Sequence, residues 1–203
     1  MNYYISDLHF FHANALNFDK RPFSTVDEMN DYIVQHWNKK VTNNDVVYIL
    51  GDVSLLHGKE KLIELVAILK GKKVLIQGNH DILKDYRYKQ LFYEIHDYQE
   101  ITDHIKGQSY NLVLSHYPIL MWKNQHRGSI LLYGHTHNSV EDQFFQSCIS
   151  QMNERDDLNL FAQGGTPMLA INVGCMHPWI AYEPRTLEEI LEGYDQVIQH
   201  PEE

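Results

Sequence analysis

The sequence predicts an α/β fold. Three observations carry this. Short apolar runs rich in β-branched and aromatic residues recur along the chain, helix-period segments lie between them, and polar clusters follow the runs directly. Asn2-Tyr-Tyr-Ile-Ser6 reads as the first strand. Val26, Met29, Ile33 and Trp37 then repeat at three- and four-residue steps, and Thr25 with Glu28 forms a capping-box signature ahead of them. Val46–Leu50 reads as a buried strand, Leu62, Leu65, Val66 and Leu69 as a second helix, and Val74–Ile76 as a third strand. Leu112–Leu114 and Ile130–Tyr133 are continuous apolar runs of the kind buried on both faces, and Ala170–Val173 is a weaker one. A C-terminal helix runs through Leu187, Ile190, Leu191, Tyr194 and Ile198, opened by Thr186 with Glu189. Residues 138–165 are polar and end in a Gly-Gly pair, and are expected to form a flap or excursion on one domain spanning residues 1–203.

Composition limits the function. The chain has 203 residues, 43% hydrophobic and 22% charged, which argues against disorder and coiled coil. No apolar run reaches the ~18 residues of a membrane span. The formal charge of −10 gives no general field for polyanions, so no long nucleic acid is expected as a partner. Two cysteines and no CxxC predict a reducing, cytoplasmic setting, and Ser6-Asp7 follow the first strand too early for a signal peptide. Histidine stands out with thirteen copies.

The histidines fall where chemistry would be placed. Asp7-Leu-His9 follows the first run and Gly51-Asp52 the second. Gly78-Asn79-His80-Asp81 follows the third, Ser115-His116 the fourth, and Gly134-His135-Thr136-His137 the fifth. Sites in open α/β sheets form beyond the carboxyl ends of strands, so these segments would converge on one edge. Asp, His and Asn without Cys make an N/O donor set suited to divalent Mn, Fe, Co, Ni, Zn or Mg. Asp7, His9, Asp52, Asn79, His116, His135 and His137 exceed what one ion needs and match two ions ~3.5–4 Å apart bridged by a carboxylate. D-x-H or G-D alone is weak. G-N-H-D arises by chance in about one in a thousand chains of this length, which favours function over a simple strand-end turn.

These five motifs, in this order, resemble the calcineurin-like metallophosphoesterase superfamily, and Asn172-Val-Gly174 is similar to its C-terminal Asn-x-Gly turn. The resemblance implies a four-layer α/β/β/α sandwich with a dinuclear metal site at the sheet edge. It implies Asp7, His9 and His137 on one metal, Asn79, His116 and His135 on the other, and Asp52 bridging both. A metal-bridging hydroxide would attack phosphorus in line, with His80 assisting the leaving oxygen. Manganese is the preferred ion. The protein Ser/Thr phosphatase branch continues its second motif with a further Asp-Arg-Gly, whereas this chain reads Gly51-Asp-Val-Ser-Leu-Leu56. Its phosphate-gripping Arg and its His-orienting Asp are therefore missing, and Asp81 is the candidate to orient His80.

The expected activity is hydrolysis of a phosphate ester, preferably a phosphodiester of a small or nucleotide-like substrate. A phosphomonoesterase, a nuclease and a metal-binding interaction scaffold of the same fold stay open as alternatives. His12, Arg21 and Arg127 are candidate substrate-binding residues, the arginines because their planar fork suits phosphate.

Overall fold

The computed structural model describes residues 1–56, 59–154 and 165–199. The chain forms β1 (Asn2–Ile5), α1 (Ala13–Phe18), α2 (Val26–Lys40), β2 (Val46–Ile49), α3 (Glu60–Ile68), β3 (Lys72–Ile76), α4 (Tyr86–Lys89) and β4 (Glu94–His96). It continues through β5 (Tyr98–Ile105), β6 (Gln108–Ser115), β7 (Ile130–Tyr133), α5 (Val140–Asn153), β8 (Leu169–Asn172) and α6 (Leu187–Gln199). The capping signatures act as expected. Thr25 Oγ1 accepts from Glu28 N at 3.1 Å, and Thr186 exchanges hydrogen bonds with Glu189 in both directions.

Two four-stranded sheets result, ordered β1-β2-β3-β4 and β5-β6-β7-β8. The first is parallel throughout. The second is parallel except for the antiparallel β5–β6 hairpin. The hairpin turns at Lys106-Gly107, both at positive φ, the conformation that matches strand twist in a two-residue turn. Packing explains the apolar runs. On β6 and β7, Leu112, Leu114, Ile130 and Leu132 belong to the main core, which also holds α2 and α3 residues. Their neighbours Val113, Leu131 and Tyr133 join Phe145 and Ile149 of α5 in a second core. The second sheet is thus buried on both faces, and the layers run α/β/β/α.

Two expectations are corrected. Within the stretch read as a flap, Val140–Asn153 is a helix packed on the second sheet through Phe145 and Ile149, and residues 155–164 lie outside the described residues. Its polar outer face hid a narrow apolar stripe. The strands β4 and β5 were also not expected, because neither contains a continuous apolar run.

The sheets meet at one end. Ser6 N donates to Val173 O at 2.8 Å and Cys175 N donates to Ser6 O at 2.9 Å, so the carboxyl ends of β1 and β8 are stitched together across the two sheets. That seam gives the loops after β1, β2, β3, β6 and β7 a common edge. Buried Asp142 of α5 braces it. Its Oδ1 accepts from Tyr133 Oη, Thr136 Oγ1 and Asn172 Nδ2 at 2.8, 2.7 and 2.9 Å. Asp142→Ala removes the acceptor these three donors share, two of them on strand ends beside the seam, and leaves Tyr133 Oη without its acceptor while Asn172 Nδ2 keeps His137 O at 3.1 Å. The expected cost is about 2–4 kcal/mol, read as a lowered midpoint in denaturant unfolding with unchanged slope.

Candidate metal centre

The loops at the common edge leave their strands abruptly. Asp7, His9, Asp52, His135 and His137 have φ of 55°, 50°, 55°, 70° and 52°. Left-handed backbone disfavours residues with a Cβ by roughly 1–2 kcal/mol each, and such strain clusters at functional sites. Gly51, at φ 87°, allows the closest approach: a Cβ there would lie 2.8 Å from the Gly78 backbone and against His116 Nδ1. At Gly134 a Cβ would meet Ser6 and Asp7 Oδ2.

This geometry brings the seven sequence-predicted donors together. Ligating atoms of Asp7, His9 and His137 lie within 4.8 Å of one another, and those of Asp52, His116 and His135 do likewise. Asn79 Oδ1 is 3.1 Å from His116 Nε2 and so borders the second group. Asp52 stands between the groups, with Oδ2 3.8 Å from His9 Nε2 and Oδ1 3.6 Å from His116 Nε2.

The donors fit divalent cations on their own chemistry. Burial raises the pKa of Asp7, and that of His9 is driven far down by burial and then by His137. His135 is lowered by burial and then by His116. Imidazoles held neutral keep the lone pair that a metal takes, and a cation would relieve the crowding of carboxylates in low dielectric. His9 Nε2 and His137 Nε2 face each other at 3.2 Å, an arrangement that a shared cation would satisfy.

Surrounding groups aim the rings. His116 Nδ1 sits 2.7 Å from Leu50 O, which accepts its proton and leaves Nε2 for the site. His137 Nδ1 lies 2.9 and 3.0 Å from the two Asp19 oxygens. Burial opposes a charge on His137, but the Asp19 bond and Asp7 raise its pKa. Asp19 in turn accepts from Arg21 Nε at 2.9 Å and forms an ion pair with Nη2 at 2.8 Å. Asp19 escaped the sequence reading because it lies in no motif, ten residues beyond His9.

Three residues take roles other than those expected. The Arg21 side chain is fully buried and donates to Asp19, Leu8 O and Asp7 O, so it braces the β1 loop and offers no fork to substrate. Asp81 does not orient His80. Its carboxylate accepts from the amides of Asp52, Val53 and Gly78 at 2.8, 3.0 and 2.9 Å, and burial lifts its pKa to about 6 against those bonds. It fixes the Asp52 loop. Arg127 is exposed and precedes β7, at the opposite end of that strand from His135.

His80 and His12 are at the site. The His80 side chain is 40% exposed with Nε2 4.0 Å from Asp52 Oδ2, and its backbone amide donates to Asp52 Oδ1 at 3.0 Å. The His12 ring is 5.4 Å from that of His9. Two exposed aromatic rings flank the donors: Phe18 beside His137 at 5.3 Å and Tyr117 beside His135 at 4.7 Å. Removing the Asp19 carboxylate frees the His137 ring to turn. Asp19→Ala is expected to weaken binding of one of two Mn²⁺ ions by about 10–100-fold and to spare the other, measured by competition with a chelating dye.

Comparison with known proteins agrees with this geometry. The family model for calcineurin-like phosphoesterase matches residues 3–195. An uncharacterised protein of Methanocaldococcus jannaschii is 41% identical over 111 residues, which cover 54% of this chain and 61% of that protein. The chain thus matches less than two thirds of that relative's length. The Gene 66 protein of Mycobacterium phage D29 is 31% identical over 160 residues, 68% of this chain and 79% of the relative. A crystal structure of a protein of unknown function from Aquifex aeolicus aligns with a TM-score of 0.62 at 26% identity, over 95% of this chain and 98% of that one. With the match running almost end to end and the donors of its motifs gathered at one sheet edge, the chain belongs to the calcineurin-like phosphoesterase family.

Proposed function

We propose that the protein is a divalent-metal-dependent phosphoesterase that hydrolyses a phosphodiester of a small or nucleotide-like substrate. The observation that carries this reading is the Asp52 carboxylate standing between two donor groups, each within reach of one cation. Asp7, His9 and His137 would hold one ion, Asn79, His116 and His135 the other, and Asp52 both. When bound, the two cations supply Lewis-acid polarisation of the phosphoryl oxygens and acidify water. They also bring roughly four positive charges to a chain of net charge −10, which makes the site locally attractive to phosphate.

The protein's own groups do the rest. His80 reaches solvent at the mouth and is anchored through its backbone to Asp52. In this reading it would hold a proton at Nε2 and deliver it to the leaving oxygen. Buried Asp81 keeps Asp52 on its strained backbone by binding the amides on both sides of the loop. His12 is held towards its neutral form by burial and by Arg21, which suits a hydrogen-bonding role at the opening.

Arg21 bears on ester type. A monoester dianion is best met by a guanidinium fork, and this one is spent on Asp19 and two carbonyls. A diester carries one charge less and makes no such demand. The cysteines, Cys148 and Cys175, are both free, which supports a reducing cytoplasmic setting.

The test is hydrolysis of bis(p-nitrophenyl) phosphate beside p-nitrophenyl phosphate in Mn²⁺. The diester should be the better substrate, and His80→Ala should lower its kcat by about 10²–10⁴-fold while two Mn²⁺ remain bound. Preference for the monoester would overturn the ester type, and undiminished turnover in the variant would overturn the role of His80.

A further inference from the structure

Beside the donors lies a hollow of ≈ 380 Å³ lined by His135, His137, Phe18, Asn138 and Glu141 among others. Phe18 is 53% exposed, which is unusual for a large aromatic ring that already has three neighbours. Those neighbours are histidines: its ring centroid is 5.3 Å from His137, 5.6 Å from His12 and 6.1 Å from His9. Two of these contacts are edge-on and one is tilted. An exposed aromatic ring beside a polar site is a stacking platform. The lining also offers the Asn138 amide and the Glu141 carboxylate, and among the described residues no lysine or arginine lines the hollow.

We propose that this hollow receives an uncharged aromatic ester group of the substrate, such as a nucleobase, which stacks on Phe18 and presents its N–H donors to Glu141 and Asn138. The inference rests on the phosphoesterase reading and gives it a substrate class. A phosphoryl group at His135 and His137 would carry its ester group towards Phe18, because the same two histidines belong to the donor groups and line the hollow, with Phe18 5.3 Å from His137. The exposed Glu141 carboxylate repels a second anionic group, so sugar phosphates and carboxylated esters are disfavoured.

The experiment compares phenylphosphonate with methylphosphonate as competitive inhibitors of diester hydrolysis by the Mn²⁺-loaded protein. The wild type should bind the phenyl compound about tenfold more tightly. Phe18→Ala should reduce that ratio to about one, and Phe18→Trp should keep it. Metal content should be unchanged in both variants, which separates stacking from mere shielding of the histidines. A second arm uses 4-carboxyphenylphosphonate, which should bind weakly to the wild type and recover in Glu141→Gln. Equal inhibition by the phenyl and methyl compounds in the wild type, or a phenyl preference that survives Phe18→Ala, would overturn the inference and leave the phosphoesterase reading intact. No diester turnover by the Mn²⁺-loaded protein would overturn both.

Discussion

The arrangement depends on holding two carboxylates, Asp7 and Asp52, out of water at the place where two sheets meet. Burying carboxylates side by side is unfavourable unless dipoles or cations compensate. The backbone supplies part of that compensation. His135 N lies 3.1 Å from Asp7 Oδ2, and His80 N lies 3.0 Å from Asp52 Oδ1. Each amide belongs to a loop from another strand, so each carboxylate is also the cross-link that gathers the loops. Compensation by amides is incomplete, as the raised pKa of Asp7 shows. The remaining electrostatic demand is what gives the site its affinity for cations.

That demand is met at the expense of backbone comfort. Five donors sit at positive φ, where side chains with a Cβ are disfavoured. The strain persists because rigid elements over-determine it. The seam between Ser6 and residues 173–175 fixes the loop after β1, Asp81 fixes the loop after β2, and Asp142 fixes the segment around Thr136. Each brace is a buried acceptor or carbonyl whose partners are backbone amides or short polar side chains. Such bonds lock direction as well as distance. The α5 helix therefore serves the site although none of its residues belongs to a donor group.

The legible part of this molecule was the part whose chemistry demands rare residue types in fixed places. A donor set of Asp, Asn and His directly past apolar runs has few structural substitutes, so the gathering of Asp7, His9, Asp52, Asn79, His116, His135 and His137 at one edge could be read from sequence. The strands of the second sheet were legible where both faces are buried, as at Leu112–Leu114 and Ile130–Tyr133. The edge strand β5 was not. Tyr98–Ile105 alternates exposed with half-buried positions and carries only Ile101 and Ile105 towards the core. Arg21 and Asp81 were misread for a shared reason. Sequence shows that a charged residue lies near a motif, but only tertiary structure shows whether its charge faces the solvent or is consumed by backbone groups. Asp19 was missed because its partner, His137, lies 118 positions away.

The short α1 segment shows how closely positioning and recognition can be joined. Phe18 and Asp19 are consecutive, at the end of a helix of six residues, and both address His137. The Asp19 carboxylate turns inward, binds Nδ1 and is locked by Arg21, whereas the Phe18 ring turns outward and leaves half its surface in water. The two side chains therefore treat opposite needs of one imidazole. One sets the tautomer and aim that a ligating nitrogen requires, and the other lowers the polarity on the solvent side. A shift of this helix's backbone would alter ring orientation and the adjacent hollow together, because the same turn carries both. In this chain α1 keeps the support of His137 and the exposed ring beside it on adjacent residues, so the ring can be replaced without removing the carboxylate that aims the imidazole.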